Sequence, residues 1–110
     1  MADPQAPEAP TRQEWDYASG TFRSLGSPIR IGIVVLLAAR DRSVTELVDA
    51  LGVSQPLVSQ HLRVLRSSGL VRARRRGREM IYANSDADVT SFILGVTRRA
   101  QDGARLRIAG

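Results

Sequence analysis

Apolar and polar positions recur along this chain with two different periods, and the switch between them marks its elements. After Ser54 the apolar residues Val58, Leu62 and Leu65 return at four-then-three spacing, which is the stripe of an α-helix with one buried face. Gln55, Ser59, Gln60, Arg63 and Arg66 are left on the other face. Ser54 is placed to accept a hydrogen bond from an orphan backbone N–H, and Pro56 fits the first turn, where no donor is needed. Gly69 ends the helix, because glycine enters the left-handed C′ conformation without strain. The period then shortens to two. Residues 70–76 and 79–83 read as strands around a Gly77-Arg78 turn, with Val71 and Ala73 inward, Arg72 and Arg74 outward, and Arg75 to Arg78 at the tip.

The longer period also precedes this segment. A helix is predicted over 13–25 with Trp15, Ala18, Phe22 and Leu25 along one stripe, although Gly20 weakens it by about 1 kcal/mol relative to alanine. Ser27-Pro28 is an N-cap followed by proline at the first helical position, and it opens an apolar helix over 29–39, the expected centre of the core. A short helix begins at 44–46, with Thr45 as its expected cap, and turns Leu47, Val48 and Leu51 inward. Gly52-Val53 then leads into the Ser54 helix. A last helix is expected over 86–102, with Val89, Phe92, Ile93 and Val96 on one face. Pro4, Pro7 and Pro10, interleaved with Ala, Glu and Gln, predict a disordered tail over 1–12, and 103–110 read as a flexible tail. One domain over 13–102 remains: mainly α with a β-hairpin (α+β), in the layout of a winged helix-turn-helix DNA reader.

Charge sharpens this picture. The net charge is +5, and all sixteen basic residues are arginine. Arginine forks bidentately onto phosphate and guanine, which suits nucleic acid. A lysine-free chain rich in Arg, Ala and Gly also fits a GC-rich genome, so charge points to an anionic partner only beside its pattern. That pattern is Arg72, Arg74, Arg75, Arg76 and Arg78, five arginines in seven residues with Glu79 the one acid close by. A solvated edge hairpin kept charged against aggregation explains one or two of them. Five repel one another without an anion, so phosphate or minor-groove contact is the favoured reading.

Several chemistries are excluded. The chain has no cysteine, which removes disulfides, thiolate metal sites and cysteine nucleophiles. His61 is the only histidine; it would be alone as a metal ligand, and a bond to backbone or phosphate at the helix surface is expected instead. With no nucleophile–base pair, paired carboxylates, phosphate loop or Rossmann motif, the chain reads as a non-enzyme without a cofactor. The first residues lack the basic and apolar regions of a signal peptide, and the apolar run 31–39 is too short to span a bilayer. A cytoplasmic protein without a membrane partner is expected.

Two phrases carry a specific resemblance. LGSPIRIGIVVLL resembles the second helix of the ArsR/SmtB family of bacterial winged-helix transcriptional regulators, and ELVDALGVSQPLVSQHLRVLRSSGLVRARRRGREMIYAN resembles its helix-turn-helix and wing nearly position by position. The likeness is nearest to metal-sensing, actinobacterial-looking members. It implies that Gln55, Ser59, Gln60, His61 and Arg63 sit at the major groove, and Ser54 and Pro56, which open that helix, are expected among the DNA-binding residues with them. It also implies that Arg74, Arg75, Arg76 and Arg78 form the wing. The stripes Trp15, Phe22, Leu25 and Val89, Phe92, Ile93, Val96 could close the monomer core; the resemblance implies instead that first and last helices pair across a two-fold axis. Such an axis sets two reading helices one DNA turn apart, about 34–36 Å.

Metal sensing is where chain and family part. Members that sense zinc, cobalt or nickel place Asp-x-His near the start of the last helix and complete the site from the partner helix. The equivalents here are Asp86 and Asp88, then Arg99 and Asp102. Imidazoles suit these metals, whereas carboxylates alone hold them weakly. Asp86 and Asp88 equally suit a helix N-terminus. The expected function is a homodimeric DNA-binding regulator, a repressor by resemblance, on an inverted-repeat operator. It would respond through a separate metal-sensing protein, a weak carboxylate site, or no effector. The rival is an interaction module that dimerises or docks on a partner without reading DNA.

Overall fold

Each helix begins where a short polar side chain can satisfy its orphan N–H groups. The computed structural model describes residues 8–109, with side chains through 104. Helix α1 (Arg12–Ser24) opens on a capping box, in which Thr11 Oγ1 accepts from Glu14 N at 3.2 Å and the Glu14 carboxylate accepts from Thr11 N at 2.8 Å. Ser27 caps α2 (Pro28–Ala39), and Ser54 caps α4 (Gln55–Ser67). Helix α3 (Val44–Leu51) is capped by Ser43, not by the expected Thr45. Ser43 has Glu46 three residues on to return the bond, whereas Thr45 has Val48, which cannot. Asp86 Oδ1 accepts from Val89 N at 3.0 Å and opens α5 (Ala87–Ala109).

The exit from α4 follows the sequence reading. Gly69 takes φ 74°, Gly69 N bonds to Arg66 O, and Leu70 N reaches back to Leu65 O at 2.9 Å, the paired bonds of a Schellman end. Strand β2 (Val71–Arg76) then pairs antiparallel with β3 (Glu79–Asn84), from Val71 against Asn84 to Arg76 against Glu79. The two-residue loop has φ 63° at Gly77 and no positive φ at Arg78, as in a type II′ turn. A third strand, β1 (Arg42–Ser43), lies on the free edge of β3, giving the order β1-β3-β2. Two residues are too few to show a period, so β1 has no signature in the sequence.

Helix α2 is the hub: Ile33, Val34 and Leu37 are buried among Leu47, Val58, Leu62, Leu65, Leu70 and Val71. Leu25 and Ile93, expected on the dimerisation faces, are core residues at 5% exposure each, and Val89 packs against the same core. For Val89 and Ile93 the reason is that α5 packs on α2, which consumes the inner half of its stripe, while Leu25, the C-cap of α1, joins the same core. Phe92 and Val96 stay exposed. The expected domain end at Asp102 falls inside α5, which continues to Ala109. Gly103 keeps a negative φ and so does not act as a C′ stop. Of the tail expected over 1–12, residues 1–7 lie outside the described residues, 8–10 are exposed without regular structure, and Thr11 and Arg12 already belong to the start of α1.

Candidate nucleic-acid interface

Gly52, with φ 68°, turns the chain from α3 into α4 and completes a helix-turn-helix. Val58, Leu62 and Leu65 hold α4 to the core, so Gln55, Pro56, Gln60, Arg63 and Arg66 are exposed and Ser59 is half-buried. Their donors and acceptors are not spent internally. Among the described residues, the side chains of Gln55, Gln60, Arg63 and Arg66 make no hydrogen bond or ion pair. Ser54 differs, because its Oγ accepts from Leu57 N and is used as a cap.

The hairpin stands beside this helix. A cleft of about 260 Å³ is lined by Gln55 of α4 with Arg78, Met80 and Tyr82 of the wing. A second, of about 200 Å³, joins Ser59, Arg63 and Arg66 to Tyr82. Gln55, Ser59, Arg63 and Arg66 therefore form the flank of α4 nearest the wing. Within the wing, Arg72 donates to Asn84 O at 2.7 Å, and Arg74 meets Asp41 at 3.5 Å in an exposed pair worth little in water. Arg75, Arg76 and Arg78 are exposed and have no ion-pair partner among the described residues.

His61 is separated from this group. It sits half-buried on the opposite flank of α4, where its Nδ1 accepts from Arg30 Nε of α2 at 3.2 Å. Burial, and then the neighbouring guanidinium, hold the imidazole pKa below its ordinary value of 6.5. Arg30 escaped the sequence reading, although a signal existed: it is the only charged residue in the otherwise apolar α2. Asp41, the partner of Arg74, carried none.

The metal-type positions show different chemistry. Asp86 spends one carboxylate oxygen as a cap, and Asp88 lies in the first turn of α5. No three His, Cys, Asp or Glu side chains converge among the described residues. A donor set of carboxylates with a guanidinium at Arg99 does not fit a zinc or nickel site of the imidazole kind. Trp15 and Phe22 of α1 and Phe92 of α5 are each more than half exposed, with Val96 close to half. The Phe22 and Phe92 rings meet edge-on at 5.9 Å. Tyr17, which the stripe omitted, is the most exposed aromatic of this surface.

Residues 27–73 match the family described as bacterial regulatory protein, arsR family. The HTH-type transcriptional repressor SmtB of Mycobacterium tuberculosis is 43% identical over 101 residues, which are 92% of this chain and 75% of that protein. The crystal structure of M. tuberculosis Rv0081 superposes with a TM-score of 0.72 at 35% identity, over 91% of this chain and all of the other. The homodimeric winged helix-turn-helix domain of Mb0332 from Mycobacterium bovis gives a TM-score of 0.75 at 28% identity, over 90% and 94% of the two chains. Likeness of this degree, along a chain whose reading helix and arginine hairpin already stand side by side, means that it belongs to the ArsR family of winged helix-turn-helix transcriptional regulators.

Proposed function

We propose that this chain is a homodimeric repressor that binds an inverted-repeat operator in the cytoplasm. Helix α4 lies in the major groove, and the wing lies on the flanking backbone or minor groove. The carrying observation is the union of unspent side chains: Gln55, Gln60, Arg63 and Arg66 on α4 beside Arg75, Arg76 and Arg78 on the wing. Gln55 and Gln60 suit the N7/N6 edge of adenine, Arg63 suits guanine or phosphate, and Arg74 joins the wing contacts once freed from Asp41. The mycobacterial relative named a repressor supports the sign of regulation.

Dimerisation uses the exposed parts of α1 and α5, namely Trp15, Phe22, Phe92 and Val96 with Tyr17 added. The radius of gyration of 17.1 Å exceeds the roughly 13 Å of a compact single domain of this length, in keeping with apolar side chains of α1 and α5 that stay outside the core. The homodimeric Mb0332 domain supports the same assembly. No single helix among the described residues is long and apolar enough to cross a membrane. A nickel- or zinc-linked regulon would act through a separate metal-sensing protein, since Asp86, Asp88 and Asp102 form a poor donor set beside Arg99.

Selection from a random duplex pool tests this. An inverted repeat should be enriched and bound by two copies of the chain. Enrichment of no sequence, with a protein partner captured by the same surface, would favour the docking module instead.

A further inference from the structure

The flank of α4 that faces away from the wing is held by directional bonds. His61 Nδ1 accepts from Arg30 Nε at 3.2 Å. The same guanidinium also reaches α1, donating from Nη1 to the carbonyl oxygens of Ser24 at 2.9 Å and Arg23 at 3.4 Å. One arginine of α2 thus joins the end of α1 to the middle of α4. Seven residues beyond His61, Ser68 closes a second link by sharing a hydrogen bond with buried Ser24, 2.5 Å between hydroxyl oxygens. Seven residues are two turns, so both anchors lie on one stripe, about 10 Å apart along the axis. Apolar burial of Val58, Leu62 and Leu65 is non-directional, whereas these two bonds fix the roll of the helix.

The His61 contact exists in one protonation state. Only a neutral imidazole accepts at Nδ1, so its proton is on Nε2. Protonation turns Nδ1 into a donor facing a guanidinium that is always charged. Around the ring, α2 contributes Arg30, while the α1 groups that bond at the junction are the carbonyl oxygens of Arg23 and Ser24 and the Ser24 hydroxyl. Among the described residues, Arg30 is the one charged group acting on His61, with no carboxylate to offset it.

We propose that Arg30 is a positioning residue for the recognition helix, acting through the neutral imidazole of His61, and that this contact makes operator binding proton-sensitive. The proposal rests on α4 being the helix that reads DNA. Its sign is unusual. An imidazolium beside a duplex adds positive charge and normally tightens binding as pH falls. Here acid breaks the bond between His61 and Arg30 and frees the roll of α4, so that Gln55 and Gln60 lose their aim. Specific binding weakens, and binding to random sequence does not.

The test uses the full chain, the duplex selected from the random pool and a random duplex, between about pH 7.5 and pH 5 at fixed salt. The chain has one histidine, so its ring signals in NMR report this site alone. Operator affinity should fall about tenfold, the scale of one lost charge-assisted hydrogen bond, with a midpoint that tracks the imidazole titration. His61→Asn places a non-titrating acceptor near the Nδ1 position and should keep the affinity flat with pH. Arg30→Met should lower operator affinity at neutral pH and abolish its pH dependence. Affinity that is unchanged or rises in acid, or His61→Asn behaving as the wild type, would overturn the proposal. A pool that enriches no duplex would instead overturn the DNA-reading account beneath it.

Discussion

Replacing Arg75 and Arg76 with alanine tests whether the wing holds phosphates. Neither side chain has an ion-pair partner among the described residues, so their removal breaks no ion pair there. They are neighbours on β2 and point to opposite faces of the hairpin, Arg76 on the face of Arg72 and Arg74, Arg75 on that of Val71 and Ala73. If both reach phosphate, a dimer loses four contacts and the log–log salt slope falls by about 3.6 units, at roughly 0.9 per phosphate. If one face reaches DNA, the fall is about 1.8 and a single substitution reproduces it. Arg74→Ala should change the slope less than a fully engaged residue, because the free protein holds that side chain against Asp41. Fluorescence anisotropy across a salt series, on selected and random duplexes, measures both slopes. They should fall together, since phosphate contacts carry no sequence information. An unchanged slope on either duplex would refute the assignment and leave the wing a solvated edge.

Other outcomes follow from the same structure. Gln60→Ala should cost roughly 1–3 kcal/mol on the selected duplex and almost nothing on random DNA; equal losses would make Gln60 a positioning contact. Phe92→Asp, at a half-exposed ring, should turn the dimer into folded monomers in sedimentation, and a persisting dimer would exclude this face. Micromolar nickel or zinc should change operator affinity by less than about tenfold, because weak binding gives little differential affinity between conformations. Tight binding with release of DNA would restore direct sensing. The lowered pKa of His61 also sets a stability trend: below the ordinary 6.5 the unfolded chain takes up the proton first. The contribution is therefore full above that value and lost as pH falls through the folded one, and His61→Asn should remove this part of the slope in urea titrations.

The sequence makes legible whatever depends on local chemistry. Ser54, Pro56 and Gly69 determine the ends of α4 through groups a few residues apart, and the structure places those ends accordingly. The inward positions Val58, Leu62 and Leu65 follow from period alone. Contacts distant in sequence were not legible. Strand β1 exists only because β3 offers it an edge. Leu25 and Ile93 lie in the core although their stripes suit a dimer face, because a stripe shows which residues share a side, not which neighbour covers it. Thr45 looked like a cap until the reciprocal bond of Glu46 chose Ser43. His61 shares α4 with Gln55, Gln60 and Arg63, yet its partner lies 31 residues away on α2.

Hydroxyl-radical footprinting on the selected duplex addresses the central claim most directly, that two copies of α4 read one operator across a two-fold axis. The account predicts two equally protected half-sites whose centres lie about 34–36 Å apart, roughly 10 base pairs, with flanking protection that disappears when Arg75 and Arg76 are replaced. A single protected site, or uniform protection without a two-fold pattern, would contradict it.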